Sequence, residues 1–94
     1  MMGGSALSVL KGKGPDYAFQ KTQAVLKSAD LAMANLEAPF TSKGKAFHKK
    51  YTFRVPPDFA SSIANNGLDV CTIANNHIMD YGYDGLQNTL RILD

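Results

Sequence analysis

The sequence predicts an α/β fold in which helices alternate with a few short parallel strands. Apolar segments of strand length occur at residues 30–37 and 68–75, and segments with helical spacing precede and follow them. This alternation is typical of parallel strands joined by right-handed helical crossovers. Two strands are too few for an open sheet covered by three helices, so we expect residues 1–94 to form a single partial domain. Such a domain would continue in the native protein or borrow a strand by self-association.

Composition and charge exclude several classes of protein. The chain is 45% hydrophobic and 19% charged, without a long apolar run, which predicts a globular segment that does not span a membrane. The opening residues "MMGGSALSVLKGKG" lack the basic region and the long apolar stretch of a signal peptide. A net charge of +2 without a clustered basic face argues against a nucleic-acid partner. The single cysteine, Cys71, cannot form an internal disulfide and lies in an apolar run that favours burial.

The first predicted helix covers residues 15–28, where Pro15 suits the first turn and Asp16 complements the helix dipole. A strand follows at residues 30–37 and ends before Pro39. The apolar face predicted for the helix consists of Phe19, Thr22, Val25, Leu26 and Ala29.

The middle of the chain is a long connection, residues 40–56, that ends in "YTFRV" and contains four lysines. The aromatic and β-branched residues of that motif fit either an edge strand or an extended segment. A second helix is predicted from Pro57 to a stop at Asn66 and Gly67. Its predicted buried residues are Phe59, Ala60, Ile63 and Ala64.

A second strand at residues 68–75 leads into the last predicted helix. We expect that helix to begin at Asp84, whose carboxylate would cap it while Gln87 reaches back to the cap. It continues to the last residue of the chain. The residues predicted to line its apolar face are Leu86, Leu90 and Leu93.

Polar side chains follow both predicted strands, at the sheet edge where α/β proteins bind ligands. Asn35 and Glu37 lie two residues apart, so they project from the same side of an extended chain. After the second strand come Asn75, Asn76, His77 and Asp80. Carboxylate, amide and imidazole groups are ligands of Mn, Fe, Zn or Mg. The pattern therefore indicates a site for divalent metal ions.

Each of these residues also has a purely structural interpretation. Asparagine and aspartate after a strand are common in turns, and Asp80 is expected to tie the loop or to orient His77. Gly82 would allow an unusual backbone angle.

Two basic features between the strands leave alternatives open as well. Arg54 fits either a surface ion pair or a clamp on phosphate or carboxylate. The lysines are interpreted as a solvated loop that could steer an anionic polymer; they are Lys43, Lys45, Lys49 and Lys50.

Three motifs, "NLE", "YTFRVPP" and "ANNHIMDYGYDGL", occur in this order along the chain. Together they resemble the bacterial capsule-synthesis domain of CapA-type poly-γ-glutamate biosynthesis proteins, a domain similar to calcineurin-like metallophosphoesterases. The resemblance covers nearly the whole chain. It implies a four-layer α/β/β/α fold, of which residues 1–94 are an early part.

The resemblance also implies roles for individual residues. Asn76 would be a metal ligand, and His77 the proton donor or a transition-state contact near the scissile phosphate. Glu37 would be the acidic residue that bridges the metals, where the superfamily usually has Asp. The metal-binding aspartate of an early Gly-Asp pair and the later histidines of the superfamily are missing from this sequence. We therefore expect at most half a metal site, or none, and little hydrolytic activity from these residues alone. Substrate-binding or supporting roles would fall to Asn35, Arg54, Asn75 and Asp80.

The resemblance further implies partners and a location. The substrate would be a phosphoester or an anionic polymer such as poly-γ-glutamate, and membrane proteins of capsule synthesis would be partners. The intact protein would be anchored in the membrane and face outward. The alternative is a domain without catalysis that binds the polymer or the synthesis machinery. A nucleotide-binding site is excluded, because the sequence has no glycine-rich phosphate loop. A serine or cysteine nucleophile has little support, because there is no G-x-S-x-G motif and Cys71 lies inside a predicted strand.

Overall fold

The computed structural model describes all 94 residues and confirms the α/β class. The four-layer arrangement stays a prediction, because two strands form a single small sheet. No helix combines the length and the apolar character needed to cross a lipid bilayer. In chain order the elements are α1 (Ser5–Lys13), a 3₁₀ helix (Pro15–Phe19), α2 (Gln23–Ser28), β1 (Met33–Asn35), a 3₁₀ helix (Pro57–Phe59), α3 (Ser61–Asn65), β2 (Val70–Thr72) and α4 (Gly82–Leu93).

The two strands pair in parallel, as predicted, with Met33 opposite Val70 and Asn35 opposite Thr72. Both are shorter than predicted, three residues each instead of eight. Main-chain bonds flank the ladder on both sides, from the Asp69 amide to the Ala32 carbonyl at 2.9 Å and from the Leu36 amide to the Thr72 carbonyl at 2.8 Å. The Ala32 amide, by contrast, donates to the Asp69 carboxylate at 2.9 Å, so a side chain replaces the main-chain partner before the strands.

Cys71 lies in the middle of β2, half-buried against the hydrophobic core. Burial raises the pKa of its thiol. The sequence-based prediction that this residue packs as a small apolar side chain is consistent with that position.

A second parallel contact, a single bridge between Phe40 and Val55, forms the centre of the core. The Thr41 amide donates to the Val55 carbonyl at 3.0 Å, and the Val55 amide donates to the Pro39 carbonyl at 2.9 Å. Phe40 and Val55 are fully buried, so "YTFRV" is an extended segment that is regular only at Val55. The core cluster consists of Leu10, Leu36, Ala38, Phe40, Val55, Phe59 and Ile63.

The prediction of one helix over residues 15–28 is wrong. The segment divides into a 3₁₀ helix and the six-residue α2, which contributes no buried residue. Val25, on the predicted apolar face, is 71% exposed, because no other part of the chain covers this side of α2. Helix α1 was not predicted from the sequence, and it buries only Leu10.

The second predicted helix is confirmed as a 3₁₀ turn followed by α3. Phe59 and Ile63 are buried as predicted, whereas Ala64 is exposed. The helix ends at Asn66, and Gly67 follows with φ 89°, a conformation that glycine adopts without strain. A side chain at this position would also meet Lys27, since a Cβ would lie 2.8 Å from its Cγ atom.

Helix α4 differs from its prediction in both its start and its buried face. It begins at Gly82, no side chain caps it, and Gln87 donates to the Tyr83 hydroxyl at 2.9 Å instead of reaching back. Of the predicted apolar face, Leu90 is 41% exposed, whereas Leu86 and Leu93 are half-buried and Leu93 packs against the core. The fully buried residues of the helix are Gly85 and Thr89, because these small residues allow close approach.

Candidate functional site

The carboxyl ends of β1 and β2 are joined by the side chain of Asn75. Its Nδ2 group donates to the Asn35 side-chain oxygen at 3.1 Å and to the Leu36 carbonyl at 2.9 Å. The Thr72 hydroxyl adds a longer contact of 3.4 Å to the same Asn35 oxygen. The two strand ends are thereby held together at the place where the sequence predicts a site.

The same Asn75 side chain also shapes the loop that follows β2. Its oxygen accepts hydrogen bonds from the amides of His77 at 3.0 Å and Ile78 at 3.1 Å. This is the local bonding that asparagine commonly makes in turns. Both the nitrogen and the oxygen of the Asn75 side-chain amide therefore have partners within the chain. Asn75 thus organises the strand junction and the loop after β2.

His77 is oriented by the buried carboxylate of Asp80, whose Oδ2 lies 2.9 Å from Nδ1 of the imidazole. A carboxylate can only accept, so we assign the proton of the neutral ring to Nδ1. Nε2 then keeps its lone pair and has no hydrogen-bond partner in the chain. The Phe53 ring packs beside the imidazole, with 4.9 Å between the ring centroids.

Asp80 is fully buried, and its carboxylate has three partners within the chain. The Phe53 amide donates to Oδ2 at 2.6 Å, His77 shares that oxygen, and the Lys49 ammonium pairs with Oδ1. Burial by itself raises the pKa of Asp80, but the bonds from Lys49, His77 and Phe53 outweigh it and leave that pKa below its ordinary value. Asp80 is therefore held as a carboxylate.

The prediction that the lysines form a solvated loop is wrong for Lys49. Besides its ion pair with Asp80, its ammonium donates to the main-chain carbonyl of Asn76 at 2.9 Å. Lys49 also borders an open depression of about 350 Å³. The other residues that line this depression are Lys50, Tyr51, Phe53, Asn76 and His77. The basic and aromatic composition of "KKYTF" was the one signal in the sequence that could have indicated this neighbourhood.

The two predicted metal ligands follow adjacent strands, and neither side chain has a partner in the chain. Glu37 is half-buried two residues after β1, and Asn76 is exposed in the loop after β2. Free carboxylate and amide oxygens are suitable donors for a divalent cation. No group of three or more His, Cys, Asp or Glu residues completes a coordination shell. Glu37 and Asn76 thus supply donor types that a metal site uses, and their role as ligands stays a prediction.

Two predicted supporting residues lie outside the His77 cluster. Arg54 is exposed and forms no ion pair; its guanidinium stacks over the Tyr81 ring at 4.7 Å from the centroid. The ion pair considered for Arg54 from the sequence is therefore absent. Asn35 is engaged with Asn75 and acts at the strand junction.

The three motifs of the sequence meet in space. Asn75 bonds the end of β1, and Asp80 bonds Phe53 of the extended segment. The sequence profile described as "Bacterial capsule synthesis protein PGA_cap" matches residues 1–94. The chain belongs to this family. The resemblance drawn from the motifs is thereby confirmed at the level of the bacterial capsule synthesis family.

Several curated proteins related to capsule or polyglutamate synthesis are similar to this capsule synthesis chain. The PGA biosynthesis protein CapA of Bacillus subtilis is 30% identical over 92 residues, 96% of the chain and 24% of that protein. The capsule biosynthesis protein CapA of Bacillus anthracis is 27% identical over 95 residues, 97% of the chain and 23% of that protein. A probable polyglutamine synthesis accessory protein of Mycobacterium tuberculosis is 38% identical over 67 residues, 70% of the chain and 18% of that protein. The chain thus spans less than a quarter of each relative.

Proposed function

We propose that this chain contributes part of the active site of a metal-dependent phosphoesterase-type hydrolase that works in capsule or polyglutamate synthesis. The observation that carries the proposal is the His77–Asp80 pair, an imidazole oriented by a buried carboxylate directly after Asn76. An oriented imidazole with one free nitrogen is the arrangement that general acid–base catalysis needs. Glu37 supplies a second free donor at the adjacent strand end.

In this proposal each residue has a separate task. Glu37 and Asn76 would hold a divalent cation such as Mn, Fe, Zn or Mg, which supplies Lewis-acid activation of water when bound. His77, once protonated at Nε2, donates that proton to the leaving oxygen. Asp80 keeps the Nδ1 proton in place and stabilises the imidazolium. Phe53 packs on the ring and limits its rotation.

The surroundings of His77 favour a negatively charged substrate. Lys50 places an ammonium group without an ion pair on the rim of the depression that contains His77, whereas the Lys49 ammonium is already paired with Asp80. A phosphoester or the carboxylates of an anionic polymer such as poly-γ-glutamate would be attracted there. We further propose that the intact protein acts outside the cell, anchored at the membrane beside other capsule-synthesis proteins; the similarity to CapA proteins of capsule and PGA biosynthesis supports the link to capsule synthesis.

A second function is favoured by one observation. Lys50 and Tyr51 are exposed on the rim, and the Lys50 ammonium lies over the Tyr51 ring without any ion pair. Such a surface can bind a polyanion without any reaction. The second candidate is therefore a polymer-binding domain without catalysis.

Metal content separates the two functions. The longest natural protein that contains this segment is purified without chelator, beside its Glu37→Ala and Asn76→Ala variants and an Asn65→Ala control in α3. The hydrolase proposal expects near-stoichiometric Mn, Fe or Zn in the parent and the control, depletion in both folded variants, and loss of phosphoester turnover in His77→Ala. A parent that refuses added metal would contradict it. Polymer binding without turnover would then support the second candidate.

A further inference from the structure

Lys49 reaches from the connection between β1 and α3 into the loop that carries Asn76 and His77. Its ammonium pairs with Oδ1 of Asp80 and donates to the Asn76 carbonyl at 2.9 Å. These two contacts fix the side chain at its tip. The rest of the Lys49 side chain, which is 31% exposed, lines the open depression. Two of its three ammonium protons are directed into the loop.

The carbonyl that Lys49 binds belongs to the peptide unit between Asn76 and His77. The N–H of that same unit, on His77, donates to the Asn75 side-chain oxygen at 3.0 Å. A peptide unit is planar, so its carbonyl and its N–H turn together. Because this unit is held at both ends, it cannot rotate without breaking both bonds. Its orientation determines where the side chains on either side of it lie.

We propose that Lys49 is a positioning residue that holds the Asn76–His77 peptide in the orientation required by the site. The inference rests on the proposed function, since the position of these two side chains matters only if they act on a ligand. If Lys49 served only to balance the charge of Asp80, its ion pair with that carboxylate would be sufficient. The additional bond to the Asn76 carbonyl is what assigns Lys49 to positioning.

The test is hydrogen exchange by NMR on the isotopically labelled chain, without metal. The variants are Lys49→Met, Lys49→Arg, a Lys43→Met control in the same connection, and Ile63→Val, which lowers stability in the core without touching the loop. In folded Lys49→Met the His77 amide is expected to exchange on the order of tenfold faster, and the resonances of the Asn76–His77 peptide to shift. Lys49→Arg is expected to restore them, and both controls to leave them unchanged.

A measurement on the unsubstituted chain keeps the proposal open to refutation if Lys49→Met does not fold. The Lys49 ammonium protons are then expected to exchange with water much more slowly than those of Lys43, which has no side-chain partner. Equal exchange at the two lysines, or unaltered His77 exchange in folded Lys49→Met, would overturn the proposal. Neither readout uses metal or turnover, so a failure of the hydrolase proposal is recognised separately by the metal analysis.

Discussion

Nδ1 of His77 lies 2.9 Å from Oδ2 of Asp80, a carboxylate with no exposed side-chain surface. The same carboxylate accepts the Phe53 amide and pairs with Lys49. Asp80 therefore links the long connection between β1 and α3 to the loop after β2. A single side chain both orients the candidate catalytic histidine and joins two segments that have no regular secondary structure.

Replacing Asp80 by asparagine is expected to lower the free energy of unfolding by about 2 kcal/mol. The change removes the charge that pairs with Lys49, and loss of one partner from a fully buried pair costs about 3–5 kcal/mol. We expect less here because Lys49 is 31% exposed and can turn to water. Urea denaturation measures the difference, and Asp84→Asn in the exposed first turn of α4 is the matched control. An equal loss of unfolding free energy in both variants would show that the buried Asp80 carboxylate stabilises the fold no more than an exposed one.

Stability is expected to fall in acid because of Asp80. Its folded-state pKa lies below the ordinary value of 3.8, so its contribution is fully present above that value and is lost as the pH drops through the lower folded-state pKa. The free energy of unfolding should be nearly level from neutral pH to about pH 5 and decline below about pH 4. Chemical denaturation at a series of pH values tests this. Asp80→Asn should flatten the decline, and an equally steep decline in that variant would assign it to other carboxyl groups.

Asn75 and Asn76, although adjacent, are expected to respond differently to alanine. Asn75→Ala removes four hydrogen bonds at the strand junction and in the loop and should cost about 2 kcal/mol, at roughly 0.5–1.5 kcal/mol for each bond with partial replacement by water. The exposed side chain of Asn76 has no partner, so Asn76→Ala should stay within about 0.5 kcal/mol of the parent. Thermal unfolding of the two variants side by side makes the comparison. Equal stability of both would contradict the organising position of Asn75.

Gly44→Ala is expected to be strongly destabilising. Gly44 has φ 81°, and a Cβ there would lie 2.0 Å from the Tyr81 carbonyl oxygen, so the connection would have to move away from α4. Gly12→Ala in α1 is the control, because a Cβ at that position meets no atom within 4 Å. Alanine there should stabilise the helix by about 0.5–1 kcal/mol. Denaturation midpoints that move in the same direction for both variants would contradict this account.

Local patterns accounted for part of the fold. The parallel strands and the helix end at Gly67 followed from apolar runs and from a glycine stop signal, which act over a few residues. Helix α1 escaped prediction because it begins after two glycines and buries only Leu10, so its apolar pattern is weak. The burial of Thr89 in α4 was missed because its hydroxyl is satisfied by the Gly85 carbonyl within the helix, so that a polar residue fits an apolar contact.

The position of the candidate site and the contact of Asp80 with His77 were predicted, but the contacts of the site with the long connection were not. Asn75, Asn76 and His77 were placed correctly at a strand end because that follows from where the strand stops. The contacts of Asp80 with Lys49 and Phe53 could not be predicted, since Phe53 lies 27 residues earlier in a connection without periodicity. Which residues of such a segment meet the loop depends on the path of the whole chain.

The bonds from Asn75 to Asn35 and Leu36 span 40 and 39 residues of sequence. Contacts of such separation form only after the entropy of closing a long loop has been overcome. Asn35 and Asn75 can therefore meet only once β2 has been synthesised, so the nascent chain has no junction before that point. The bonds of this junction should accordingly be lost in the same cooperative step as the pairing of β1 with β2.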